Sequence, residues 1–198
     1  MNKNEFEEYL RSKSKKHIIF DFDQTLCDLL INWDDWAKEM KALYLSFRIN
    51  LDPEKHGHLE LQNMCVEKYG DEARDKILEI NYRNEKDCSL GYKLLPATIS
   101  ILSLAKNLAR LYIWSSNDRL TIKPILDEVG VEKLFSKIIT RNDVTYVKPN
   151  PEGFYLIYNK NNPKSEYLMI GDSQADEKAA KEAGIDFLKI ADLKDISQ

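Results

Sequence analysis

A chain of 198 residues is long enough for one sizeable core, or for a core with a small insert. Apolar residues make up 43% and charged residues 31%, the ordinary balance of a soluble globular protein. The net charge of −4 excludes the broad basic surface that nucleic acid requires, so positive charge for handling an anion must be confined to a site.

The first residues, MNKNEFEEYLRSKSKK, are charged throughout and lack the apolar stretch of a secretory signal. No apolar run approaches the ~20 residues that cross a bilayer, so no membrane association is expected. The cysteines Cys27, Cys65 and Cys88 are odd in number and form no CxxC, which predicts reduced thiols in a cytoplasmic protein.

Residues 5–11 predict a short helix with Phe6, Tyr9 and Leu10 on one side. HIIF, 17–20, is a short apolar run that reads as a buried strand. From Asp28 to Lys93 the texture is helical. Trp33, Trp36, Met40, Leu43, Tyr44 and Phe47 recur in steps of three and four, with Asn32 placed to cap the start. A second helix runs through LELQNMCVEKY to Gly70, and DEARDKILEINYR is a third. Asp52-Pro53 and His56-Gly57 read as turns, and no strand is expected in this stretch.

Beyond Pro96 strands and helices alternate. Helices are predicted over 97–109, 119–129 (stopping at Gly130), 151–160 (with Asn150 and Pro151 at its start) and 174–183 (stopping at Gly184). Strands are predicted at 110–114, 136–140, 167–170 and 186–190. Such alternation means a Rossmann-like parallel sheet of about five strands with helices on both faces. The expected division is an α/β core of 15–27 and 94–198, a small all-helical domain of 28–93 between its parts, and an N-terminal segment of 1–14 without an assigned role.

In a parallel sheet, ligands bind beyond the carboxyl ends of the strands. Asp21, Asp23 and Thr25 follow the first predicted strand, and Ser115, Ser116 and Asn117 the second. Lys148 and Pro149 lie past the third, Asp172 and Asp176 past the fourth. These groups suit phosphoryl transfer. Several carboxylates in one pocket repel one another and a phosphate alike, and a divalent cation cures both problems. Oxygen-only ligands favour Mg²⁺, with Asp21 and Asp172 as side-chain candidates. Lys148 supplies a point charge, the Ser115 hydroxyl and Ser116 N–H supply donors, and the two acids of Asp21 and Asp23 divide nucleophile from general acid.

This constellation resembles the haloacid dehalogenase superfamily. DFDQT (21–25) stands at the family's Asp-x-Asp-x-Thr motif, and Trp114-Ser115-Ser116 where an apolar strand ends in Ser or Thr. VKPNPEGF (147–154) looks like its Lys-Pro segment, and GDSQADEKAAKEAG (171–184) like its Gly-Asp-Ser-x-x-Asp helix. The insert stands where the branch with phosphoglycolate phosphatase and β-phosphoglucomutase carries a helical cap. The resemblance implies a phosphatase acting on a small phosphorylated metabolite. Asp21 would form the aspartyl-phosphate, and Asp23 would serve as acid/base and lend a carbonyl to Mg²⁺. Ser115 and Lys148 would hold the phosphoryl group, Asp172 would bind metal, and Asp176 would orient Lys148 or a water on the metal. Thr25 and Asn117 would support the site. Gln24 departs from the family's usual Gly at that position.

Several residues invite rival readings. His56 and His58 form a His-x-His, but an exposed turn is expected, since no further ligands join them. Trp33, Trp36 and Tyr44 read as core of the helical unit rather than a pocket wall. Lys38, Lys41, Arg48 and Arg83 are candidate substrate contacts, and Asp28 is either a helix cap or an entrance residue. The rival functions are a phosphomutase sharing every core residue, a metal-free dehalogenase, a receiver-like signalling module and an inactive phosphate-binding protein. Asp23 and Asp172 count against the dehalogenase. The helical insert and the GDSxxD helix count against the receiver.

Overall fold

His17–Phe20 is apolar at successive positions because both faces of the strand are covered. Ile18 and Phe20 point to one layer and Ile19 to the other, and all three are fully buried. A computed structural model of the chain describes residues 1–86 and 91–197. This strand, β1, is the centre of a five-stranded parallel sheet. The other members are β4 (Arg110–Trp114), β5 (Phe135–Ile139), β6 (Tyr167–Gly171) and β7 (Asp186–Lys189), in the order β5-β4-β1-β6-β7.

One face of the sheet is covered by α1 (Lys3–Ser12), α6 (Thr98–Ala105), α7 (Arg119–Val129) and the C-terminal turn Ile190–Ser197. Phe6, Leu10, Ile101, Ile122, Leu126 and Leu193 meet Ile18, Phe20 and Ile113 there. The opposite face takes α8 (Glu152–Ile157) and α9 (Gln174–Ala183), where Phe154, Ala179 and Ala183 meet Ile19, Trp114 and Met169. The predicted α/β architecture is therefore present. The N-terminal helix is longer than 5–11, because Asn2 and Glu5 close a capping box at its start. Helices 97–109 and 151–160 are shorter than their patterns suggest. The second stops at Ile157 because Tyr158 takes an extended backbone.

Between β1 and β4 lie α2 (Trp33–Ser46), α3 (Pro53–His56), α4 (His58–Tyr69) and α5 (Asp71–Lys86). Met40, Tyr44, Leu61, Cys65 and Ile77 give these helices their own apolar cluster. The expected turn at Asp52-Pro53 is the capped start of α3 instead, with Asp52 accepting from the Glu54 N–H at 3.1 Å. The expectation of no strand in this stretch is also corrected. β2 (Cys27–Leu29) and β3 (Tyr92–Leu94) pair antiparallel where the chain leaves and rejoins the sheet layer. Three residues each are too few for a period of two to register. Asp28 lies within β2 and Asn32 is the cap of α2, so Asp28 caps no helix. Cys27 and Cys65 are buried free thiols, whereas Cys88 and residues 87–90 of the predicted helical unit lie outside the described residues. No described helix is long and apolar enough to cross a membrane.

Gln24 occupies a left-handed backbone conformation with φ of 60°. That explains why Gly is favoured there: an L side chain pays for the approach of its Cβ to the next carbonyl. The exposed Gln24 side chain offsets part of this cost through a 2.6 Å hydrogen bond from Nε2 to Asp28. Gln24→Val is expected to lower stability by about 1–2 kcal/mol, because a β-branched side chain tolerates this region worst. Gln24→Gly should stay within about 0.5 kcal/mol of the parent or exceed it, and urea denaturation of both variants checks the pair.

Candidate active site

The chain order of the strands makes β1 the switch point. The path moves from β1 outward through β4 to β5, then returns to β6 on the other side. The carboxyl ends of β4, β1 and β6 therefore stand side by side. They deliver Ser115, Asp21 and Asp172 to one edge, and the loop after β5 brings Lys148 across to them.

Lys148 ties the site together. Its Nζ lies 2.6 Å from Asp21 Oδ1 and 2.5 Å from Asp176 Oδ1, and all three side chains are buried. The other Asp176 oxygen accepts from the Ser173 backbone N–H and hydroxyl, closing a capping box at the start of α9. Gly171 makes room for this carboxyl, since a Cβ there would stand 2.6 Å from the Asp176 Cγ. The Lys148–Pro149 peptide is cis.

The electrostatics follow from burial. Loss of water raises the Asp21 carboxyl, Lys148 opposes that, and the neighbouring Asp176 and Asp172 add to it. Burial works against the Lys148 ammonium, but Asp176 and Asp21 outweigh it and hold the lysine above its usual range. Asp172 is raised by its own burial and by Asp176. Asp23 is pushed up to about 7, chiefly by burial, although its Oδ1 accepts a 2.8 Å hydrogen bond from the Leu29 N–H.

Asp21, Asp172 and Asp176 each place one carboxylate oxygen within 4.8 Å of the others, a group that can hold a cation. Thr25 is buried beside it, with Oγ1 3.5 Å from Asp172. Asp21, Asp23, Lys148, Asp172, Ser116 and Asn117 share one cleft of about 220 Å³. Ser115 is buried behind it. Its hydroxyl donates to Asn117 Oδ1 at 2.8 Å and accepts from the Asn117 N–H at 3.1 Å. The Ser116 hydroxyl is buried without a hydrogen-bond partner among the described residues.

The family model for haloacid dehalogenase-like hydrolases matches residues 18–190, most of the chain. The chain belongs to the haloacid dehalogenase-like hydrolases. Among curated members of this kind it is similar to the pyrophosphatase PpaX of Oceanobacillus iheyensis, with 28% identity over 92% of this chain and 86% of that one. It is also similar to the phosphoglycolate phosphatase of Pseudomonas savastanoi pv. phaseolicola, with 25% identity over 91% of this chain and 71% of that one. A solved haloacid dehalogenase-superfamily hydrolase of Geobacter sulfurreducens shares the fold, with a TM-score of 0.58, 21% identity and coverage of 87% and 88%.

In this haloacid dehalogenase-like hydrolase the inserted helices also reach the cleft. Trp33 and Trp36 line it, so of the three aromatic residues read as core only Tyr44 is fully buried there. His56 is exposed as expected. His58 is half-buried, with its ring against Trp36 and Nδ1 3.2 Å from the Tyr44 hydroxyl. Lys38, Lys41, Arg48 and Arg83 do not line the cleft. Lys38 pairs with Asp35 at the surface and Arg83 with Glu39. Besides Asp21, Asp23, Lys148 and Asp172, the charges that line it are Glu85 on α5 and Arg141 after β5, joined at 2.9 Å. No motif or helical period marked either one, because their meeting depends on how α5 packs against the sheet.

Lys148→Met is expected to destabilise the protein by about 3–5 kcal/mol, since it leaves two buried carboxylates without their shared cation. Urea unfolding at neutral pH measures this, and a change near zero would contradict the buried triad.

Proposed function

We propose that this hydrolase is a Mg²⁺-dependent phosphatase that cleaves a small phosphorylated metabolite through an aspartyl-phosphate on Asp21. The observation that carries the reading is Lys148 held between Asp21 and Asp176 in the cleft, with Asp172 alongside. The names of its relatives, a pyrophosphatase and a phosphoglycolate phosphatase, point to the same class of substrate.

The residues fit a magnesium ion. Three crowded carboxylates face one ammonium, and burial with mutual repulsion raises Asp21 and Asp172. Both oxygens of Asp176 are already engaged by Lys148 and Ser173, which leaves Asp21 and Asp172 as side-chain ligands, with the Asp23 carbonyl. When bound, Mg²⁺ would neutralise these acids and draw charge from the phosphoryl oxygens.

The protein groups divide the remaining work. An Asp21 oxygen attacks phosphorus as the bond to the leaving oxygen breaks, and Asp23 gives that oxygen its proton. Asp23 then takes a proton from water, the water oxygen attacks the aspartyl-phosphate, and Asp21 departs as carboxylate with inorganic phosphate released. The value of about 7 for Asp23 suits a group that must both give and accept a proton. Lys148 balances charge on the transferring oxygens, and Ser115 with Asn117 shapes the turn that presents the Ser116 N–H and hydroxyl.

Residues 28–93 would act as the cap, shielding the reaction from water and reading the leaving group. The buried thiols Cys27 and Cys65 favour a cytoplasmic setting.

Asp21→Asn should abolish phosphate release from p-nitrophenyl phosphate while the far-ultraviolet circular dichroism stays that of the parent; full activity would remove the nucleophile assignment. Asp23→Asn should slow turnover by roughly 10²–10⁴-fold, the usual worth of general acid–base catalysis. Treatment with EDTA should stop phosphate release and Mg²⁺ should restore it.

A further inference from the structure

The cleft contains a guanidinium for which the chemistry at Asp21 has no use. Arg141 sits in the turn that follows β5 and is 5% exposed. Its Nη2 pairs with Glu85 Oε1 at 2.9 Å, and its backbone N–H donates to the Asn117 carbonyl at 3.2 Å. Its Nε and Nη1 are buried and have no hydrogen-bond partner among the described residues. A buried charged group rarely leaves donors unmet, because the loss of water is then uncompensated.

Arg141 shares its cleft with Lys148, and the two cations differ in what they have left to give. Lys148 is committed to Asp21 and Asp176. Arg141 is held on one side by Glu85, whose second oxygen accepts from the Asp118 N–H at 2.8 Å, so the guanidinium is fixed while two of its nitrogens stay free. Fixed charge-assisted donors of this kind match the oxygens of a carboxylate or phosphate. The cleft, at about 220 Å³, admits a phosphoryl group and a short acid.

We propose that Arg141 is a specificity residue that reads a second acidic group, carboxylate or phosphate, on the leaving side of the substrate. This rests on the phosphatase reading above. A mere latch between α5 and the loop after β5 would also explain the pair with Glu85, but not the two unpartnered nitrogens.

The test compares 2-phosphoglycolate and inorganic pyrophosphate, which carry a second acid, with ethyl phosphate, which does not. Phosphate release is followed in the parent, in Arg141→Lys, and in the double variant Arg141→Met with Glu85→Gln, which leaves no unpaired charge. The parent should prefer at least one doubly acidic substrate over ethyl phosphate in kcat/KM. That preference should fall about tenfold or more in each folded variant, mainly through KM. A smaller fall, or a parent that prefers ethyl phosphate, overturns the proposal. Equal loss on all substrates also overturns it and leaves only the latch. Arg141→Lys keeps a cation against Glu85 and so carries the test if the double variant unfolds. Release from none of the three substrates, nor from p-nitrophenyl phosphate, strikes the phosphatase reading itself and the proposal with it.

Discussion

The placement of one buried ammonium governs the rest of this structure. Lys148 is taken out of water and held between Asp21 and Asp176, and without it two buried carboxyl groups would lose their shared partner. The end of β1, the start of α9 and the loop after β5 must therefore converge within hydrogen-bond reach. Gly171 must lack a side chain so that Asp176 can approach, and Ser173 must fix the other Asp176 oxygen. The parallel sheet supplies the convergence, because its switch point puts the ends of β4, β1 and β6 next to one another.

The inserted helices take part in the same constraint. Asn63 on α4 brackets the backbone of Val147, donating to its carbonyl at 2.7 Å and accepting from its N–H at 2.9 Å. Arg74 on α5 donates to the Val144 carbonyl at 3.1 Å, and Glu85 holds Arg141. The loop that presents Lys148 is thus gripped by the insert along its length. A displacement of the insert would disturb the loop, and with it the charge balance at Asp21.

The sheet, and the edge of it at which the candidate site gathers, were legible in the sequence for a physical reason. Asp21, Ser115 and Asp172 each follow a strand directly and Lys148 lies in the loop after β5, so local pattern and topology together place them at one edge. The positions that were not legible depend on packing between segments far apart in the chain. Trp33 and Trp36 have the period of core residues, yet α2 turns them toward the cleft. Glu85 and Arg141 look like two unremarkable surface charges until α5 is laid across the end of β5. The strands β2 and β3 escaped because three residues carry no period. Gln24 was visible as a departure from pattern, but only its φ of 60° shows what the pattern was for.

The same division separates the parts of the reaction. In the proposed reaction, attack on phosphorus needs groups fixed to a fraction of an ångström, and the candidates stand at strand ends in a rigid sheet. Discrimination among leaving groups is the task that the proposed reading gives to residues outside the sheet. In the proposed reading those residues come from the insert and from the turn after β5. Arg141 stands at the border of the two sets. Its backbone belongs to the sheet edge through Asn117, and its side chain belongs to the insert through Glu85. Under the proposal for Arg141, a substrate group that met its free nitrogens would be held in register with Asp21 by the sheet and enclosed by the insert at once. That is the arrangement by which binding energy remote from phosphorus can be spent on orientation at phosphorus.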